Sequence, residues 1–129
     1  MINIPQLIGA YWANDKTLPK LWLEYVPLDQ VVADGLPFAQ MEIAAFAREQ
    51  LNCGMAIDTY RIRVNCFHKS APEAFALGQQ ALAHIGQWKH PDIHTGKSRP
   101  EDFATPVEAG KRIVWVFGFS SEFKLMESY

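Results

Sequence analysis

The chain has 129 residues, 12 of them Lys or Arg and 14 Asp or Glu, for a formal net charge of −2; 49% are hydrophobic. That length is one domain, residues 1–129, with enough buried surface to need no metal or disulfide staple, and the composition excludes disorder. The basic residues stand singly, with no cluster to release counterions or sit on a membrane, which argues against duplex DNA and anionic lipid as main partners.

The opening "MINIPQLIGAYW" has neither a basic start nor a long apolar stretch, so no signal peptide is expected, and no later segment has the length of a membrane span. In the reducing compartment this implies, Cys53 and Cys66 are expected as free thiols. Leu7, Ile8, Tyr11 and Trp12 recur at helical spacing behind Pro5, which predicts a short helix over Pro5–Ala13, ended by Asn14-Asp15. Prolines 19, 27 and 37 forbid a long helix next; the segment is expected to hold a short strand around Leu21–Val26 and a turn at Asp34-Gly35.

"FAQMEIAAFAREQLNCG" is ambiguous. Propensity favours a helix for "EIAAFAREQL" closed by Gly54, whereas alternation of Ala39, Met41, Ile43 and Ala45 favours a strand. "TYRIRVNCF" has one reading. Tyr60, Ile62, Val64 and Cys66 point one way and Thr59, Arg61, Arg63 and Asn65 the other, a half-buried strand over Thr59–Phe67. Ser70 and Glu73 then form the pattern of a capping box, with Pro72 in the first turn. The helix that follows carries an apolar stripe of Ala74, Phe75, Gly78, Ala81, Leu82 and Ile85, with Gly86 expected as its stop. Ile62, Val64 and Leu82 are expected to be buried where the strand meets this helix.

Gln87 to Pro100 is polar and reads as a long loop, usually a functional or mobile element. Phe103, Thr105 and Val107 alternate, "EAGK" offers a turn, and "RIVWVFGF" places Ile113, Trp115, Phe117 and Phe119 on one face, together a β-hairpin. "SSEFKLMESY" reads as a polar tail in which Phe123, Leu125 and Met126 are available to dock. The order predicts an α+β domain, an antiparallel sheet of about four strands with two helices packed mainly on one face.

A search for chemistry finds little. His90 and His94, with Asp92 between them, have donor types that suit zinc, but Pro91 breaks the helix on which the metalloprotease pattern depends and the partnering glutamate is missing. His84 is the other histidine nearby. Cys66 lies on the expected buried face with His68 beyond it, so it reads as a small core residue before it reads as a nucleophile. Cys53, beside Gly54, is expected to be exposed. Glu24, Asp29, Asp34 and Glu42 have no spacing that specifies an acid–base pair. Trp12, Trp22, Trp88 and Trp115 read as core or interface anchors, with no basic groove to make them stacking platforms. No catalytic, cofactor-binding or metal-binding residue is assigned.

The sequence of segments "LIGAYWANDKTL", "GLPFAQMEIAAF", "IDTYRIRVNCFHKSAPEAFALGQQALAHIG" and "RIVWVFGF" resembles the small tail-terminator, or tail-completion, proteins of tailed bacteriophages and prophages. The resemblance covers most of the chain and rests on pattern and length, since that family has no invariant chemical residues. It implies that the LP-aromatic segment is a strand, Phe38–Phe46, in place of the helix favoured by propensity. It implies a structural virion protein that is not an enzyme and carries no cofactor. Such a protein is assembled in the host cytoplasm into rings, commonly hexamers, that cap the tail tube and meet the head–tail connector. The implied partners are other copies of the chain, the tail tube protein and connector proteins, with no membrane and no sequence-specific nucleic acid. The loop Gln87–Pro100 has no counterpart in the family's pattern. A head–tail connector ring, or a small metal- or ligand-binding enzyme using the His90–His94 loop, are the alternatives.

Overall fold

The computed structural model describes residues 3–23 and 35–128. The elements run helix α1 (Ile4–Trp12), strands β1 (Leu21–Leu23), β2 (Phe38–Gln50) and β3 (Met55–His68), helix α2 (Ala71–Gly86), and strands β4 (Ile93–Ala109) and β5 (Arg112–Ser128). They form an α+β structure around one five-stranded sheet of order β1-β2-β3-β5-β4. β1 runs parallel to β2 and the other neighbours are antiparallel. The sheet is therefore mixed, and larger than the purely antiparallel sheet of about four strands expected. A parallel pair joins segments through a crossover, so local pattern does not reveal it. The expected turn at Asp34 and the end of the first strand, residues 24–26, lie outside the described residues.

Each helix starts as its residues dictate. Asn3 caps α1 by accepting from the Gln6 N–H at 3.1 Å, and Ile4, Ile8 and Trp12 turn one face inward. Ser70 caps α2, its Oγ accepting from the Glu73 N–H at 3.4 Å. The Glu73 carboxylate returns to the Ser70 hydroxyl at 3.2 Å, where a capping box would send it to the Ser70 amide. The end of α2 differs from expectation. Gly86 is its last helical residue, and the cap is Gln87 in a right-handed conformation, with no left-handed glycine.

The buried stripe of α2 is Ala74, Leu77, Gly78, Ala81 and Ile85. Phe75, placed on that stripe by the sequence, is 44% exposed, and Leu82 is half-buried at the core's rim. The cause is at Gly78, where an added Cβ would lie 2.0 Å from Cδ1 of Phe117. The helix is rotated so that its one bare backbone position meets the largest ring on β5.

Both helices pack on the same face of the sheet. Their buried residues join Ala39, Met41, Ile62, Val64, Cys66, Phe117, Phe119, Phe123 and Leu125 in the main core. The opposite face has a smaller cluster of Phe38, Phe67, Ala109, Val114 and Val116. On β5 the inward alternation of Phe117 and Phe119 continues through Ser121, Phe123 and Leu125, so the expected polar tail is the second half of a strand. Ile113, expected with Phe117 and Phe119, is exposed beside the hairpin turn.

Two other expectations change. β2 is a strand over its whole length and extends to Gln50, because register with β3 from Phe38↔Phe67 to Gln50↔Ala56 outweighs the helix propensity of "EIAAFAREQL". Most of the expected loop Gln87–Pro100 is the first half of β4, which pairs with β5 from Ile93↔Leu125 onward. β4 is an edge strand, so polar side chains and Pro100 are tolerated there, and its register shifts at Thr95/Ser98, Pro100/Asp102 and Asp102/Thr105 blur the alternation. The β4–β5 turn uses Gly110 at φ 63°.

Gly78→Ala is expected to destabilise by about 1–3 kcal/mol through overpacking on Phe117, although alanine is the better helix former. Gly9→Ala in α1, where nothing lies within 4 Å of the new Cβ, should instead stabilise by up to about 1 kcal/mol. Buried Ile85→Ala should cost about 2–5 kcal/mol and half-buried Leu82→Ala less. Urea denaturation of the four variants measures both the signs and the order.

Candidate functional site

The histidines singled out in the sequence lie in separate settings. Pro91 and Asp92 form a tight turn in which the Ile93 N–H donates to the His90 carbonyl at 3.2 Å. The Asp92 N–H donates to His90 Nδ1 at 3.1 Å. His94 is exposed on β4, opposite Lys124. His84 belongs to a latch between the helices. Its ring stacks on Tyr11 at 4.2 Å, the Tyr11 hydroxyl donates to the His84 carbonyl at 2.7 Å, and His84 Nε2 lies 3.0 Å from the Tyr11 carbonyl. That last contact requires the proton on Nε2. Burial, with the charge of Asp15 second, raises the Tyr11 pKa, so the phenol stays a donor. Among the described residues no three His, Cys, Asp or Glu side chains converge as a metal site.

Cys66 is fully buried in the main core, and burial pushes its thiol from 9.0 up to about 12. A nucleophile needs the thiolate, which this environment disfavours. His68 is engaged elsewhere, its Nδ1 accepting from the Lys69 N–H at 2.9 Å and lying 3.3 Å from Glu73. Cys53 is exposed at the β2–β3 turn, and both thiols are free. Glu42 is half-buried on β2, while Glu24, Asp29 and Asp34 lie outside the described residues. Trp12 donates Nε1 to the Pro19 carbonyl at 2.7 Å, Trp88 packs edge-on to Phe123, and Trp22 lies under the Lys20 ammonium.

The sheet's edges and its helix-free face stand out instead. β1 pairs only with Ala39–Met41, and no described strand pairs with the outer edge of β2 beyond it. There Ile43 and Phe46 are 40% and 52% exposed, with Phe46 tilted against Tyr60 at 4.9 Å. Register with Ile62 and Tyr60 puts both on the helix side of the sheet. At the opposite edge Phe75 and Phe103, 44% and 61% exposed, each contact the buried Phe117 ring edge-on at 5.7 Å. The two aromatic patches are thus on one side of the sheet at its two ends, and they differ from each other. The sequence hid both: Phe75 had been placed in a stripe, and Phe103 on a two-faced hairpin strand.

Arg48 braces the distal β2–β3 hairpin, making hydrogen bonds of 2.6 and 2.8 Å to Asp58, which is only 1% exposed. The helix-free face is polar beyond its small apolar cluster. Arg63 reaches Asp102, Glu101 and Asn65, and Asn65 donates to Gln40 at 2.9 Å. Next to this network a cavity of about 420 Å³ is lined by Arg61, Lys97, Ser98, Arg99, Ser120, Ser121 and Glu122. The sequence concealed it, because Lys97 and Arg99 fell in the expected loop.

Comparison with protein-family models and with curated proteins finds no match. Among the described residues no helix is long and apolar enough to cross a membrane.

In the folded protein Cys53 should react promptly with a thiol reagent and Cys66 only after unfolding. The unfolded chain loses the Cys66 proton near 9.0 and the folded chain near 12, so the unfolded state holds fewer protons between them. The stability contributed by the neutral thiol is complete below 9.0 and is lost as pH rises toward about 12. Wild-type stability should therefore fall faster than that of Cys66→Ala from about pH 8 to about pH 11, measured by urea denaturation.

Proposed function

We propose that the protein is a ring-forming structural subunit of a phage or prophage tail, a terminator that caps the tail tube and meets the head connector. The observation that carries this is the pair of unlike exposed patches, Ile43 with Phe46 at one edge of the sheet and Phe75 with Phe103 at the other. A closed ring needs a heterologous contact, in which one patch on each subunit meets a different patch on the next. Patches at opposite ends of one sheet meet that requirement, since a subunit then presents one to each neighbour.

The segment pattern shared with tail terminators and the α+β architecture support the same function. No chemistry is required of such a protein. It acts by stopping tube growth and offering a surface, and its partners are copies of itself, the tube protein and connector proteins. A head–tail connector ring would use the same edges, but the resemblance is to terminators.

Phe46→Asp and Phe103→Asp should each leave folding stability within about 0.5 kcal/mol, as surface changes do. Each should prevent assembly, because a stable contact buries at least about 1,000 Å² and its apolar centre tolerates no unpaired charge. Gene deletion in the phage or prophage, with electron microscopy of the lysate, tests the role itself. Tails of irregular length, or complete tails that fail to join filled heads, are expected. Normal infectious particles from the deletion would end the proposal.

A further inference from the structure

The cavity on the helix-free face has an unusual charge for this chain. Arg61 on β3 and Lys97 and Arg99 on β4 border it, with Glu122 on β5 as the one carboxylate of its lining. None of the three cations has an ion-pair partner among the described residues, whereas neighbouring Arg63 is engaged by Asp102 and Glu101. Glu122 lies 3.7 Å from Lys124, which draws part of its charge away. The pocket thus carries about two surplus positive charges on a protein whose net charge is −2.

The backbone explains how the cations meet. Arg61 faces Glu122, and Arg99 faces Ser120, across two successive ladders of the sheet, so these side chains share one face. The register shift between Thr95 and Ser98 brings Lys97 to the same cavity. Ser120, buried with its residue 3% exposed, lies in the lining as a hydroxyl donor.

We propose that this pocket binds a phosphate group. Two guanidiniums and an ammonium suit a dianionic phosphate oxygen cluster better than a single carboxylate, because arginine forks pair with phosphate oxygens two at a time. No aromatic side chain is in the lining, so the ligand is held by charge and hydrogen bonds with no stacking on a base. A cavity of this volume takes a small phosphate ester or a short piece of nucleic-acid backbone, and both present the same chemistry. The proposal stands apart from ring assembly, since the pocket is on the opposite face from the aromatic patches.

The test is calorimetric titration of the full chain with pyrophosphate at low ionic strength. Wild-type protein should bind, and the double variant Arg61→Gln/Arg99→Gln should lose at least about tenfold in affinity. Arg112→Gln, at the exposed β4–β5 turn, should bind as wild type. Circular dichroism checks folding, and Lys97→Gln alone, expected to lose affinity in the same direction, serves if the double variant is unfolded. A short oligothymidylate is titrated in parallel. Binding that pyrophosphate competes away, and that the double variant loses, supports the pocket with nucleic-acid backbone as the source. Pyrophosphate binding without oligonucleotide binding supports it with a small phosphate ester. No pyrophosphate binding, equal affinity in the variants, or displacement of pyrophosphate by equimolar polyglutamate would each overturn it.

Discussion

The ring of Phe117 occupies the space that a side chain on residue 78 would need, and much of the architecture depends on that contact. With glycine there, α2 approaches β5 closely enough for Leu77, Ala81 and Ile85 to reach the sheet. The rotation that brings Gly78 inward carries Phe75 outward, to the edge of the same ring that Phe103 meets from β4. One close approach thus sets the helix's angle about its own axis, seals the main core and leaves an aromatic patch on the surface. Close-packed interiors transmit such constraints because side chains have little slack.

The same layer leaves the far end of the sheet bare. α2 lies over β3, β5 and β4, and α1 lies over β1, so the distal half of β2 has no described helix above it. That half is held in register by its ladder with β3 and by Arg48 on the buried carboxylate of Asp58. Charged Arg48 and Glu49 on one edge strand, and Pro100 with three register shifts on the other, discourage indiscriminate strand-to-strand pairing. An assembly built from this molecule therefore relies on side-chain contacts at its edges, which suits ordered assembly on a template better than free polymerisation.

The elements legible in the sequence were those whose own pattern agrees with their final environment. β3 alternates cleanly because one of its faces is the main core, and α1 and the start of α2 are announced by Asn3 with Pro5 and by Ser70 with Pro72. β2 was legible only through a family resemblance, since "EIAAFAREQL" favours a helix until β3 is beside it. β4 and the end of β5 were missed for opposite reasons. β4 is polar and bulged at an edge, and β5 alternates Ser121, Phe123 and Leu125 with charges that look like a solvated tail. Of the candidate sites, the chain-local one was discounted from sequence: Pro91 breaks "HPDIH", and the structure puts His90 in a turn. The patches and the phosphate pocket were invisible, because Ile43 and Phe46 on one edge, Phe75 and Phe103 on the other, and Arg61 beside Lys97 and Arg99 each depend on where the sheet ends.

By itself the sequence determined an α+β class, the helix starts, the central strand and the burial of Cys66, because these follow from short-range periodicity and capping. Tertiary structure alone decided the parallel β1–β2 pair, the fifth strand of the sheet, the rotation of α2 and the grouping of three cations on one face. Those features join residues far apart in the chain, and whether they form depends on packing and register between elements, which no single segment's pattern encodes.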